Sequence, residues 1–323
     1  MIARVIILGF FFLLVGCDRD DNKGSSQQKA AEVAATRRPA LSLAEERRKF
    51  KTTLVRRPRD EEPLAEPPSA LFRIVHYESP AGKLPAYLSV APEDGKRRPA
   101  LIWIHGGVCN SVGPMWEPGP PENDQSASAF REAGIVTMYP ALRGGNDGPG
   151  TEEGFLGEVD DIIAARDYLS QQDSVDPHRI YLGGHSTGGT MALLAAESSD
   201  RFRAVFSFGP VGDVEGYGPE YLPFDTSNPR EMKLRSPAHW LASITTPTFV
   251  FEGEKPVTNI GWLEAMGRMS QNPAIRFMPV PGGNHFSILY PMTHLIAQKI
   301  LHDDGTVPNF TFTDAELNSA MSK

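Results

Sequence analysis

Apolar residues along the chain fall into short continuous runs that alternate with longer helically spaced segments. Arg179-Ile180-Tyr181-Leu182 is a β-branched and aromatic run that breaks at Gly183-Gly184. After His185-Ser186-Thr187-Gly188-Gly189 it passes directly into Thr190-Met191-Ala192-Leu193-Leu194-Ala195-Ala196, so the pattern predicts strand, sharp turn and helix with a serine at the apex. Upstream, Phe72 to Tyr77 and Pro85 to Val90 read as strands of an opening hairpin around Pro80-Ala81-Gly82. Ala100-Leu101-Ile102-Trp103-Ile104 reads as a buried strand, Ser126 to Ala133 as a helix and Ile135 to Tyr139 as the next strand. A helix from about Glu158 to Gln172 carries Val159, Ile162, Ile163, Arg166 and Leu169 on one face. Strands then follow at Val205 to Phe208, Phe249 to Phe251 and Ile275 to Val280, with a helical C-terminus. The glycine-, proline- and aromatic-rich stretch 209–243 interrupts the alternation as a cap insertion. Its Tyr217, Tyr221, Leu222, Phe224 and Trp240 are either pocket walls or the cap's own small core.

The first 70 residues follow a different pattern. One positive charge and the apolar run Val5 to Gly16, too short to span a bilayer as a helix, predict a secretory signal at 1–16. Leu14-Val15-Gly16-Cys17 resembles the lipobox of bacterial lipoproteins, which implies cleavage before Cys17, lipid attachment there and an exported protein held at the membrane by that anchor. Asp18 resembles the signal that retains such lipoproteins on the inner membrane, at its periplasmic face. Residues 17–70 are charged, polar and punctuated by proline, which predicts a tether without a core of its own. Within it, Ser42-Leu43-Ala44-Glu45 fits a capping box, and a short helix from about Leu43 to Val55 is expected to dock on the body at 71–323.

Composition narrows the functional classes. Lys and Arg total 32 against 40 Asp and Glu, a formal net charge of −8, and no basic stripe crosses the body, which excludes a nucleic-acid footprint. With Cys17 assigned to lipid, Cys109 is a single remaining thiol, and a disulfide framework is excluded. His and Cys do not cluster at ligand spacing and no phosphate-cradling loop is evident, so no metal or organic cofactor is expected.

The chemistry concentrates at three turns. Gly184-His185-Ser186-Thr187-Gly188 fits the G-x-S-x-G nucleophile elbow, in which glycines two positions either side of the serine let a strained turn close. The helix beginning there aims its free N–H groups at the same spot, where an oxyanion would develop. His105-Gly106-Gly107 ends the buried strand in a turn open enough for close backbone approach, and the amides of Gly107 and Thr187 are the expected oxyanion donors. Pro281-Gly282-Gly283-Asn284-His285 follows the last strand and places His285 as the general base, in the chain order serine, acid, histidine.

The ordered set resembles the catalytic domain of the prolyl oligopeptidase-like group within the α/β-hydrolase superfamily, over roughly residues 72–303. The matching features are Arg143-Gly144 after the fourth strand, Asp160 or Asp161 on the next helix, Asp176-Pro177-His178-Arg179-Ile180, and the elbow with Ser186. The resemblance implies an α/β-hydrolase fold, a mostly parallel central sheet with helices on both faces and a small cap insertion. The family's β-propeller has no counterpart in the signal and tether. The sequence departs from the family at the triad acid: the position of the usual Asp, three residues beyond the glycine of Glu252-Gly253, is Pro256. Glu252 and Glu254 are the expected replacements, with Asp213 a third option.

The resulting expectation is a membrane-anchored serine hydrolase acting through an acyl-enzyme on a small ester or a short peptide, either a carboxylesterase or a peptidase. The rival is a non-catalytic, membrane-tethered binding protein that keeps the fold with an impaired triad, a reading that rests on Pro256 alone.

Overall fold

The computed structural model describes residues 42–322. The signal segment, the lipidation position Cys17 and most of the expected tether lie outside the described residues. Among the described residues, no helix is long and apolar enough to cross a membrane.

Eight strands form one sheet in the order β1-β2-β4-β3-β5-β6-β7-β8. The strands are β1 (Phe72–Ser79), β2 (Gly82–Ser89), β3 (Arg98–Ile104), β4 (Val136–Pro140), β5 (Val175–His185), β6 (Val205–Phe208), β7 (Thr248–Lys255) and β8 (Ile275–Asn284). β1 and β2 form the antiparallel hairpin at one edge, β2 joins β4 antiparallel, and every pairing from β4 to β8 is parallel. Parallel strands are buried on both faces, and this explains the continuous apolar runs of β3, β4 and β6.

Helices cover both faces. On one lie α1 (Leu43–Arg48), α3 (Gly157–Ser170), α4 (Thr187–Ser198) and α6 (Ile260–Met269), whose Leu43, Val159, Leu193 and Met266 share a core with Ile102 and Leu182 of the sheet. On the other lie α2 (Ala129–Glu132), α7 (Leu289–His302) and α8 (Asp314–Met321), where Phe130, Met292, Ile296 and Leu317 pack against Trp103 and Phe206. Each such apolar side chain contributes roughly 1.5–3 kcal/mol on burial. The expected fold class is the one observed.

Two local expectations change. The N-terminal helix is α1 alone, with Ser42 and Glu45 forming the capping box, and it ends at Arg48 rather than continuing to Val55. Beyond it the chain is extended but not free. Leu54 bridges Phe224, Val55 N–H donates to the Pro223 carbonyl, and Asp60 exchanges backbone hydrogen bonds with the loop at Gly144 and Asp147. Arg47 is buried and its guanidinium binds the Leu156 carbonyl and the Asp160 carboxylate. The part of the expected tether from residue 42 onward therefore belongs to the body.

The 209–243 insertion comprises short 3-10 turns around α5 (Pro229–Arg235). Leu222, Phe224 and Trp240 are buried in the main core, whereas Tyr221 is exposed. Tyr217 stacks on Phe155 at 5.1 Å and bonds the Thr190 hydroxyl at 2.7 Å.

Candidate active site

Ser186 stands between the last residue of β5 and the first of α4, with φ 54° and ψ −113°. A non-glycine residue in that region costs on the order of 1–3 kcal/mol, so the surroundings must hold it there. They do so through both backbone groups: Ser186 N–H donates to the Phe208 carbonyl at 2.7 Å, and its carbonyl accepts from Thr190 N–H at 2.9 Å. The glycines leave room for this turn. A Cβ on Gly184 would strike the Gly188 backbone, and one on Gly188 would strike the carbonyls of Ile104 and His105. The side chain of Ser186 is thus presented at the carboxyl end of the parallel strands, half-exposed.

The His105-Gly106-Gly107 loop, the expected oxyanion loop, lies against this turn. Gly107 has φ +80°, in the left-handed region that glycine adopts without a Cβ penalty. The Thr187 hydroxyl donates to the Gly107 carbonyl at 2.8 Å, tying the loop to the start of α4. Thr187 N–H opens the helix and has no carbonyl one turn back to bind. His105 is held within its own loop, one ring nitrogen 2.7 Å from the Gly106 carbonyl and the other 2.7 Å from that of Ser111. Cys109, four residues beyond His105, is buried against Met191, and burial pushes its thiol up to about 12.

His285 follows β8 and is buried. Its Nδ1 is 3.0 Å from Oε2 of Glu252, which is fully buried near the end of β7. The other carboxylate oxygen of Glu252 accepts from Gly253 N–H at 3.0 Å and the Thr258 hydroxyl at 3.1 Å, so the acid is fixed from both sides. Gly209, at φ +57°, makes the pair possible, because a Cβ there would overlap both the His285 ring and the Glu252 carboxylate. His285 N–H donates to the Val257 carbonyl at 2.9 Å. Among the described residues, the Glu252 contact is the one hydrogen bond of the His285 ring, and Nε2 makes none.

Glu254 does not join this arrangement. It lies two residues beyond Glu252, at the register shift between Gly253 and Lys255 in the pairing with β8, and it is exposed. Asp213 is occupied elsewhere, accepting from Glu215 N–H and the Ser236 hydroxyl. Among the described residues no group of three or more His, Cys, Asp or Glu is disposed to hold a metal ion.

Behind the His105-Gly106-Gly107 loop, the Arg143 guanidinium makes two hydrogen bonds to Asp161, each 2.9 Å, and one to Glu153 at 2.7 Å, and the Arg143 backbone N–H donates to Asp161 at 3.0 Å. Its carbonyl accepts from Asn110, at the far end of that loop. Asp161 and not Asp160 is the partner of Arg143. Two side chains that sequence reasoning left aside also face the site. His185 and Gln125 connect its loops, and their contacts span 60 and 100 positions of chain, a separation no local pattern reports.

Comparison with known proteins agrees with this geometry. The chain is 28% identical over 187 residues to the uncharacterized peptidase YtmA of Bacillus subtilis, covering 52% of this chain and 67% of that protein. Over 116 residues it is 34% identical to the probable N-octanoylanthranilate hydrolase AqdA2 of Rhodococcus erythropolis, covering 34% of this chain and 24% of the relative. Puromycin hydrolase superposes with a TM-score of 0.59 at 16% identity over 74% of this chain and 40% of its own. The acylaminoacyl peptidase of Pyrococcus horikoshii gives 0.58 at 16% identity over 77% of this chain and 44% of its own. The present chain thus spans less than half the length of these two structures, and the shared part is the α/β-hydrolase fold. Residues 121–291, more than half of the 323, match the profile of the prolyl oligopeptidase family, and the protein belongs to that family.

Proposed function

We propose that the protein is a serine hydrolase working by acyl transfer. In this reading Ser186 attacks a substrate carbonyl while Nε2 of His285 takes its proton. Glu252 keeps the proton on Nδ1 and stabilises the imidazolium. The Gly107 and Thr187 amides bind the oxyanion, and His285 returns the proton to the leaving group before water repeats the sequence. The observation that carries the reading is the strained Ser186, next to His185 whose ring lies 4.5 Å from that of His285, a histidine with Nδ1 bound to a buried carboxylate. Glu252 also removes the ground for a binding protein with an impaired triad, since a carboxylate stands behind His285 although Pro256 occupies the usual position.

The substrate class is a small ester or short peptide, and an esterase-like or broad acyl hydrolase fits a body with no β-propeller among the described residues. Covalent labelling by a fluorophosphonate probe tests the mechanism. Labelling of the folded protein that is absent in Ser186→Ala is expected; equal labelling of both, or of neither, sinks the proposal. Parallel turnover of acyl esters and of peptide amides then separates the two substrate classes.

The same proposal places the enzyme outside the cytoplasm, anchored by lipid on Cys17, on the strength of Leu14-Val15-Gly16-Cys17. Incorporation of labelled palmitate by the full chain but not by Cys17→Ser is expected, and equal incorporation contradicts the anchor.

A further inference from the structure

His185 is completely buried inside the elbow, next to the proposed nucleophile. Its ring lies 4.5 Å from that of His285, centroid to centroid, yet its hydrogen bonds lead elsewhere. Nε2 of His185 is 2.9 Å from the backbone carbonyl of His285. Nδ1 is 2.9 Å from the side-chain nitrogen of Gln125 and 3.2 Å from its side-chain oxygen. That amide is oriented by two further partners: its oxygen accepts from Gly106 N–H at 2.9 Å, and its nitrogen also donates to Asn123 Oδ1 at 2.7 Å. The backbone of Gln125 is pinned in turn, its carbonyl accepting from the buried Trp103 indole at 2.8 Å.

For a neutral ring, the shorter of the two Nδ1 contacts selects one protonation pattern. Gly106 N–H requires the oxygen of Gln125, so the amide nitrogen is left facing His185, with one hydrogen for Asn123 and one for Nδ1. Nδ1 of His185 must then accept, the proton sits on Nε2, and Nε2–H donates to the carbonyl of His285. A second proton on the ring would trade the 2.9 Å contact with the Gln125 nitrogen for the longer one with its oxygen, and would place a charge on a fully buried ring.

We propose that Gln125 and His185 are positioning residues that lock the oxyanion loop, the elbow and the His285 loop into one register. The inference rests on the acyl-transfer reading for its catalytic meaning. Gln125 holds the amide just before Gly107, His185 shares the elbow backbone with Ser186, and the carbonyl it binds belongs to His285 itself. His285 is consequently gripped at its ring by Glu252, at its N–H by Val257 and at its carbonyl by His185. The relay has to stay neutral to work, and burial together with the neighbouring His285 lowers the pKa of His185 to about 3. The titratable groups facing it are the imidazoles of His285 and His105.

The test combines histidine tautomers with kinetics on the full chain. In the ¹⁵N-histidine spectrum, His185 is expected as a neutral ring protonated on Nε2 at every pH from about 5 to 8. Gln125→Leu, at a half-buried loop position, is expected to lower kcat for a small acyl ester by ~10- to 100-fold with KM little changed, because misplacement of the reacting groups acts on the chemical step. Gln125→Glu still accepts from Gly106 but presents a carboxylate to Nδ1. It is expected to draw a second proton onto His185 and to add an ionisation to the pH–rate profile that the parent lacks. His185→Gln, which keeps a donor, is expected to retain more turnover than His185→Phe. A His185 that titrates between about pH 5 and 8 in the parent chain overturns the relay, as do Gln125 variants with parental kcat and pH profile. Absence of ester turnover in the parent counts against the acyl-transfer reading instead, and the tautomer then decides the relay alone.

Discussion

Oε2 of Glu252 meets Nδ1 of His285 at 3.0 Å from a position on strand β7 itself, where relatives of this family are expected to carry an aspartate on the loop beyond the strand. Glutamate has one more methylene than aspartate, and that extra length lets a residue still inside the sheet reach the imidazole. The loop that has lost the carboxylate keeps a smaller part of the task, since the carbonyl of Val257, next to Pro256, accepts from His285 N–H.

Replacing Glu252 by Gln leaves the shape but removes the charge that, in the proposed mechanism, stabilises the imidazolium and fixes the tautomer. We expect kcat for an acyl ester to fall by roughly 10³- to 10⁴-fold with the melting temperature changed far less. Glu254→Gln and Asp213→Asn are expected to keep parental turnover. Full activity in Glu252→Gln would remove this residue from the triad.

Gly209 makes a second prediction. Its φ of +57° and the proximity of both His285 and Glu252 leave no volume for a methyl group. Gly209→Ala is expected to cost about 1–2 kcal/mol of stability from the backbone alone. Displacing the acid–base pair adds a loss of turnover on the order of 100-fold, measurable beside a denaturant melt. Loss of stability with unchanged kcat would show that the pair tolerates the shift.

The elbow, the His-Gly-Gly loop and the His285 loop were legible in the sequence because each is a local event: a run of apolar residues stops at glycines, and the turn type follows. The choice between Glu252 and Glu254 was not legible. Residues two apart on a strand share a face, so the pattern is the same for both, and what separates them is a register shift in the β7–β8 pairing between Gly253 and Lys255. The docking of residues 49–68 was also hidden. Those residues are polar and extended, and their partners are backbone groups near Gly144 and Pro223 that only the folded chain brings close. Gln125 and His185 belong to the same class, being identified by contacts rather than by spacing.

The Arg143–Asp161 pair offers a stability test away from the chemistry. Asp161 is fully buried and Arg143 nearly so, and the guanidinium is satisfied by Asp161 and Glu153 together. Removing one partner strands the other in a place with little water, so Asp161→Asn is expected to lose about 3–5 kcal/mol in denaturant unfolding. Because Arg143 also accepts from Asn110 near the oxyanion loop, turnover of the folded fraction is expected to drop as well. A variant as stable as the parent would mean that the guanidinium finds water or Glu153 sufficient.

Glu197, near the end of α4, is buried with neither carboxyl oxygen hydrogen-bonded, and burial holds its pKa well above the usual 4.5. The folded state therefore binds a proton that the unfolded state releases above about pH 4.5, and stability must decline as pH rises. The contribution is fully present below 4.5 and is lost progressively up to the folded-state pKa. Glu197→Leu removes this dependence, and its melting temperature is expected to exceed that of the parent by more at pH 8 than at pH 5. The difference between the two proteins isolates this group from Glu158, whose pKa burial also raises. Parallel melting curves across that range would show that the carboxyl of Glu197 reaches water or a partner.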